Sequence, residues 1–476
     1  MNRNDINKDS QIKGLMLPLM LVLFMSTLDQ TIVVTALSNI GALLGNATTT
    51  PWIATAYLLT SAVTTLIFGK LGDMYGRKKV LQLSIVIFLT GSILCAFAPS
   101  MLLLIIFRGF QGIGGGALST LVMAIVGELV PSRGRAKYQA TLGLVPAIAL
   151  LAGPVLGGLI VDYLSWPWIF LINVPVGIIA FSIIALKLQL PVLNSNKRVD
   201  ISGGLLAIVF TTSFLLISVF GGHAYYWDSW QTIGLGLVGI FALRLYIYVE
   251  QRAVEPITLL RLFKDPVFSI SSALFLLSTA MLFVGMLFIP QMLQNIFHLS
   301  AFAAGSCIVP LLFGLIVATM VTGHVISKTG RYKLFPIIGS LFCTFTFLAL
   351  GYLSQTTAIW LIIILLIILG GGVGLFIQVT LLAGQNTVTQ SDLGAATGTL
   401  NFFKNFGGAA GAAVFGAIFA TASKHHNHFI TAYHSVFLSA IPLAIVALLL
   451  AIIMKEKALS ETTREIAEGK IEVPEY

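Results

Sequence analysis

The chain has 476 residues, of which 57% are hydrophobic and only 9% charged, and its mean hydropathy is +0.97. Soluble domains carry about 25% charged residues, so this composition excludes a soluble fold. The formal charge of +9 does not point to nucleic acid. Nucleic-acid binding needs cations gathered on one water-facing surface, and here they come in small groups between apolar runs.

Fourteen apolar segments follow one another, at about 14–37, 51–69, 79–98, 101–127, 138–162, 167–188, 200–221, 229–249, 266–292, 301–326, 335–353, 357–382, 394–420 and 434–454. About twenty apolar residues suffice to cross a bilayer as a helix. The polar start, MNRNDINKDSQIK, runs into the first segment without a small-residue cleavage site, which predicts a short cytoplasmic tail at 1–13 rather than a signal peptide. The stretch GKLGDMYGRKK (Gly69–Lys79) then packs four cations, one carboxylate and three glycines between the second and third segments. Loops rich in Lys and Arg stay on the cytoplasmic side, so this turn orients the chain. Starting inside, almost all of the 27 Lys and Arg fall in tails or alternate loops. Lys424 lies in an outer loop, and Arg108 and Lys404 lie inside spans. Both termini are expected in the cytoplasm.

The order of spans contains a repeat. GHVISKTGRYK (Gly323–Lys333) echoes GKLGDMYGRKK 254 residues later, with the first Gly, the Gly-Arg pair and the final Lys in register. The loop follows span two in one half and span ten in the other. Two six-span units result, at 14–188 and 266–454, separated by two inserted spans and their linkers at 189–265, with a C-terminal tail at 455–476. Parallel repeats of this kind characterise secondary transporters, with the substrate held between the halves. The echo carries Ser327 where the first loop has Asp73, so the two loops are not equivalent.

Within the spans, Asp29 is the only carboxylate at depth. An ionisable group there is costly and marks a functional site, and desolvation brings a carboxyl toward proton exchange near neutral pH. A structural Asp paired to a neighbouring helix is the alternative. Arg108 is a lone cation in span four, with Gln111 and Gly112 three and four residues on, hence on one helical face. It either snorkels to the outer interface or partners Asp29. Gly153, Pro154, Gly157 and Gly158 combine small residues, which permit close helix packing, with a proline that removes a helix hydrogen bond.

Lys404 has two readings, snorkelling or function, and Asp162 reads as a solvated group near the outer mouth. The His-rich run Ser423–Phe429 hints at metal but lacks a carboxylate or thiolate companion, so no metal site is expected. Cys95, Cys307 and Cys343 read as buried small hydrophobes. Phe24, Met286, Phe376 and Phe403 are candidate cavity-lining residues, because Met- and Phe-rich walls suit lipophilic cations.

Five motifs carry a family resemblance: LDQTIVVTAL (Leu28–Leu37), GxLxDxxGRxxx (Gly69–Val80), RxxQGxGGG (Arg108–Gly116), GPVLGG (Gly153–Gly158) and WIFLINVP (Trp168–Pro175). In this order they resemble the major facilitator superfamily, specifically its fourteen-helix drug:proton antiporter branch. Ser38 stands where that branch usually has Pro, Val34 where it often has Asn, Pro167 where a cation is common, and Ala149 where Gly often begins the fifth-helix motif. The resemblance implies an all-α integral membrane protein of the major facilitator fold, two six-helix bundles plus two inserted helices. It implies that Asp29 takes part in proton coupling or cation recognition, with Arg108 tuning the site and Gln111 as a polar partner. It also makes Gly153–Gly158 a bendable seal against leak.

In the basic turn, Asp73 is placed to cap the start of another span, since helix N-termini attract anions; the symmetry of the halves and the family resemblance imply that this is span thirteen, near residues 393–397. Arg77 is placed to reach Glu128 at the inner end of span four. With Gly69 and Gly76 they are expected to form a cytoplasmic gate latch, asymmetric because Ser327 replaces Asp73 in the echo.

The chain carries no P-loop, GxSxG or HExxH sequence, so no enzyme activity, ATPase or cofactor is expected. The leading expectation is a plasma-membrane exporter, functional as a monomer, exchanging protons for small amphipathic and cationic drugs or dyes. The alternatives are a dedicated exporter of one natural compound, such as an antibiotic, amino acid or siderophore, and a non-transporting sensor or channel.

Overall fold

A computed structural model describes residues 3–44, 51–130, 132–188, 190, 200–220, 225–299, 301–425 and 429–457. The first half comprises α1 (Arg3–Leu44), α2 (Pro51–Tyr75), α3 (Arg77–Ala96), α4 (Met101–Leu129), α5 (Ser132–Tyr163), the single turn α6 (Trp168–Leu171) and α7 (Asn173–Lys187). Two further helices follow, α8 (Ile201–Phe220) and α9 (Trp230–Glu250). The second half holds α10 (Pro266–Asn295), α11 (Ala301–Ser306), α12 (Ile308–Thr329), α13 (Leu334–Leu350), α14 (Ile359–Gln385), α15 (Leu393–His425) and α16 (Phe429–Ile453).

Each of the fourteen apolar segments falls on a helix or a broken pair of helices. Among the described residues, eleven helical stretches are long and apolar enough to cross a membrane, with Ser202–Ile217 and Leu334–Leu350 as shorter apolar helices. Fourteen crossings therefore exceed what length and composition carry alone.

Apolar side chains cannot drive helix association where the solvent is itself apolar, so close packing through small residues takes over. The α4 motif does this on two sides. A Cβ on Gly112 would meet the Tyr57 carbonyl of α2 at 2.5 Å, and one on Gly114 would meet the Phe88 amide of α3 at 2.6 Å. Separate cores fill the two halves: Val22, Tyr57, Phe88, Leu121 and Leu142 in the first, and Phe288, Phe347, Leu369, Phe376 and Phe437 in the second. The helix pair α8 and α9 packs over the line where the halves meet. Phe210 of α8 touches Phe402 of α15 with ring centroids 5.9 Å apart, and it shares a small core with Leu66 of α2 and Tyr246 of α9.

The halves meet near the turns that carry the cations, here called the basic end. A Cβ on Gly69 of α2 would stand 2.5 Å from the Gly394 carbonyl of α15, and one on Gly398 would stand 2.7 Å from the Thr65 carbonyl. On the other side, a Cβ on Gly323 of α12 would meet the Ala136 carbonyl of α5 at 2.8 Å. Gly69 and Gly323 head the two copies of the repeated turn, so the same position of each half makes the backbone-close contact.

Candidate functional site

Two polar constellations stand out against this apolar background. The first lies inside the first half. Asp29 of α1 is 0% exposed and Arg108 of α4 is 1% exposed. The guanidinium Nη1 donates to Asp29 Oδ2 at 2.5 Å and to Gln111 Oε1 at 2.8 Å. Asp29 Oδ1 accepts from Gln111 Nε2 and from Asn173 Nδ2 of α7, both at 2.9 Å. Both amides also donate to Ser92 Oγ of α3, at 3.1 and 3.0 Å, and the Ser92 hydroxyl donates to the Phe170 carbonyl at 2.9 Å. Arg108 Nε donates to the Ile53 carbonyl of α2 at 3.2 Å. The guanidinium carbon lies 4.3 Å from the Tyr57 ring centre, a cation–π distance.

Burying one charge is prohibitive, whereas a paired and fully hydrogen-bonded couple can be held. The network therefore makes Asp29 and Arg108 mutually dependent. Of the two readings of Arg108, the partnership with Asp29 is the one the structure has, and Asp29 faces the inside of its own bundle. Asn173, Ser92 and Tyr57 join a site that was read from Asp29, Arg108 and Gln111. Asn173 was visible inside the WIFLINVP motif, but a lone amide or hydroxyl in a membrane helix carries little signal.

The second constellation is the basic turn. Gly76 separates α2 from α3 with φ of 89°, a region L side chains rarely enter, and lets the chain restart at once. Arg77 Nη2 donates to Asp73 Oδ1 and Nη1 to Glu128 Oε2, both at 2.6 Å. Asp73 in turn accepts from the first amides of α15, Gly394 N at 2.9 Å and Ala395 N at 2.7 Å. A carboxylate at a helix N-terminus satisfies donors that have no partner within the helix. Asp73, Arg77, Glu128 and α15 thus form one continuous chain of bonds from half to half. Ser327, in the equivalent place, donates to His324 O of its own helix at 2.8 Å. Two glutamine contacts not foreseen from sequence join the halves nearby: Gln139 Nε2 to Gln385 Oε1 and Gln378 Nε2 to Ala136 O, both at 2.7 Å.

The remaining candidates separate. Gly153 packs α5 against α1, where a Cβ would lie 2.6 Å from Thr31 Cβ, two residues beyond Asp29. Gly157 is buried and Gly158 half-buried with open space beside it. The side chains of Pro154 and Asp162 lie outside the described residues, as do those of the His-rich run from residue 424 to 429.

Phe376 does not line a cavity: it is 0% exposed and closes on Gly339 within the second core. Met286 and Phe24 pack against the two cores, and Phe403 sits half-buried between Phe263 and Phe402. All four follow ordinary apolar packing. Lys404 is half-buried eleven residues into α15, about 16 Å from its start at 1.5 Å per residue.

The described helices form an apolar bundle with a buried ion pair and a bonded turn that joins α2 to α15, the organisation of a multi-pass membrane protein. The chain belongs to the Major Facilitator Superfamily, whose family model matches residues 19–412. It is 39% identical over 391 residues to an uncharacterized MFS-type transporter of Mycobacterium tuberculosis, covering 82% of this chain and 57% of that one. It is 37% identical to the Multidrug transporter protein MdtP of Bacillus subtilis, over 86% of this chain and 76% of that one. Multidrug resistance protein 3 of the same organism is 33% identical, over 86% of this chain and 80% of that one. The chain thus spans little more than half the length of the mycobacterial relative. The structure of the proton:xylose symporter XylE superposes with a TM-score of 0.67 at 15% identity, covering 96% of this chain and 99% of that one. That likeness is one of fold.

Proposed function

We propose that this chain is a proton-coupled exporter of small amphipathic compounds, drugs or dyes among them, working by alternating access at the plasma membrane. The observation that carries the reading is the Asp29–Arg108 pair, sealed within the first bundle and bonded to α1, α2, α4 and α7 at once. A proton on Asp29 removes the countercharge of Arg108 and one or more of the bonds that fix α1 to α4 and α7. The network must then rearrange, because an uncompensated buried cation is not tolerated. Proton binding and helix movement are thereby joined. Asp29 contacts no open space in this state, which favours a proton as its ligand over a substrate cation.

The basic end is assigned to the cytoplasm by its cation-rich turns, and the bonds from Asp73 and Arg77 to α15 and Glu128 then describe a state closed on that side. Closure of this type is a switch between two arrangements of the halves. The motifs at Leu28–Leu37 and Trp168–Pro175 favour the fourteen-helix branch, in which α8 and α9 are the inserted pair. Similarity to proteins named as multidrug transporters supports export and a broad substrate range. Dye movement in inverted vesicles under an imposed pH gradient tests the reading. Dye should accumulate when the lumen is acid, and accumulation independent of the gradient counts against it.

A further inference from the structure

α8 begins beside the end of α9 at the basic end, and the acidic residues there belong neither to the Asp29 network nor to the Asp73 turn. Asp200 precedes α8 and caps it: Oδ1 accepts from Gly203 N at 2.9 Å and from Ser202 Oγ at 2.7 Å. Glu250 closes α9, is 3% exposed, and accepts from Thr258 N through Oε2 at 3.1 Å. The other oxygen of each group, Asp200 Oδ2 and Glu250 Oε1, is buried without a hydrogen-bond partner among the described residues. Both point at one spot. A Cβ on Gly203 would stand 2.6 Å from each, so the two oxygens lie within about 5 Å of one another.

Among the described residues no cation is bonded to either of these oxygens. On α9, Tyr246 donates its hydroxyl to Thr258 Oγ1 at 2.7 Å. From α2, Lys70 is bonded to Glu255 at 2.7 Å. Farther along the linker, Arg261 is bonded to Asp392 at 2.6 Å. Lys264 lines the hollow of about 860 Å³ that Glu250, Lys70 and Arg261 also border. The two facing oxygens, buried and unpartnered among the described residues, repel one another at this separation when both groups are charged, which favours an arrangement with one proton bound between them.

We propose that Asp200 and Glu250 form a binding site for a single proton, separate from Asp29, which fastens the linker at 251–265 when occupied. Glu250 holds the linker through the Thr258 amide. The linker then reaches one half through Glu255 and Lys70, and the other through Arg261 and Asp392 beside α15. Loss of the proton places a second negative charge in the pocket beside Gly203, drives Glu250 from its seat and frees the linker that bridges the halves. None of this depends on the role of Asp29.

The test uses the full chain in liposomes. Infrared difference spectra over a pH titration should show a protonated-carboxyl band that Glu250→Gln removes. Asp200→Asn, which preserves the helix cap and deletes the opposing charge, should move the band's disappearance to lower pH. A spin label at Val254, 96% exposed on the linker, should gain mobility as pH rises. In Glu250→Gln it should stay immobile throughout, because the amide can accept from Thr258 and donate to Asp200. A band unchanged by Glu250→Gln, label mobility independent of pH, or a band abolished by sodium or potassium, which would indicate a cation site, each overturns the proposal.

Discussion

Arg77 holds Asp73 at 2.6 Å across the break between two helices. α2 ends at Tyr75, Gly76 turns the chain, and α3 begins with Arg77 itself. Four residues apart, the pair keeps the spacing of one helical turn although no helix runs through it. Asp73 is thereby aimed at the first amides of α15, in the other half of the molecule.

Asp73→Asn should therefore loosen the basic end without unfolding either half. The amide keeps one acceptor but loses the charge that serves Arg77 and the α15 N-terminus, a cost of about 1.5–3 kcal/mol for bonds to a charged group. Pulsed electron resonance between labels at Tyr75 and Leu334, both exposed, should show longer distances in the variant than in the wild type. An unchanged distance distribution would mean that the closed state does not rest on Asp73.

Gly69→Ala attacks the same contact sterically. Its Cβ would lie 2.5 Å from the Gly394 carbonyl, a backbone atom that cannot step aside. Overpacking costs about 1–3 kcal/mol, here levied on the closed arrangement alone, so the same two labels should again separate. Gly158→Ala, with open space around it, should leave the distances unchanged.

How much of this was legible depended on how rare each residue type is in its surroundings. A carboxylate in an apolar span is conspicuous, so Asp29, Arg108 and Gln111 could be singled out. Asp73 could be matched to the α15 N-terminus because a carboxylate suits a helix start and because the symmetry of the halves and the family resemblance point to that helix. Side-chain orientation was not legible. Phe376 and Phe403 look alike in sequence, yet one is sealed in a core and the other half-buried beside Phe263, because only tertiary packing decides which face of a helix is covered. The glutamine bonds at Gln139 and Gln378 join residues more than two hundred positions apart, and no local pattern encodes them. The span count shows the same limit: apolar runs mark helices, but short helices such as Leu334–Leu350 do not declare by composition whether they cross.

Arg108 allows a graded test of the buried network. Arg108→Ala leaves Asp29 without its countercharge, and breaking a buried pair costs about 3–5 kcal/mol, so yield and thermal stability should fall sharply. Arg108→Lys keeps the charge but cannot reproduce the bonds to Asp29, Gln111 and the Ile53 carbonyl together. It should fold with a lower melting temperature and impaired transport. Wild-type stability in both variants would show that the ion pair adds nothing.

Tyr57 separates packing from polarity at the same place. Tyr57→Phe retains the ring 4.3 Å from the guanidinium and should change the melting temperature little. Tyr57→Ala removes a fully buried aromatic side chain and should cost about 3–5 kcal/mol.

The account rests most heavily on Asp29 as the proton-coupling group. The decisive measurement compares wild type and Asp29→Asn in inverted vesicles, following dye movement with and without an imposed pH gradient at equal amounts of folded protein. Gradient-driven accumulation should vanish in the variant, while dye still equilibrates down its own concentration gradient. Undiminished gradient-driven accumulation in Asp29→Asn would contradict the account.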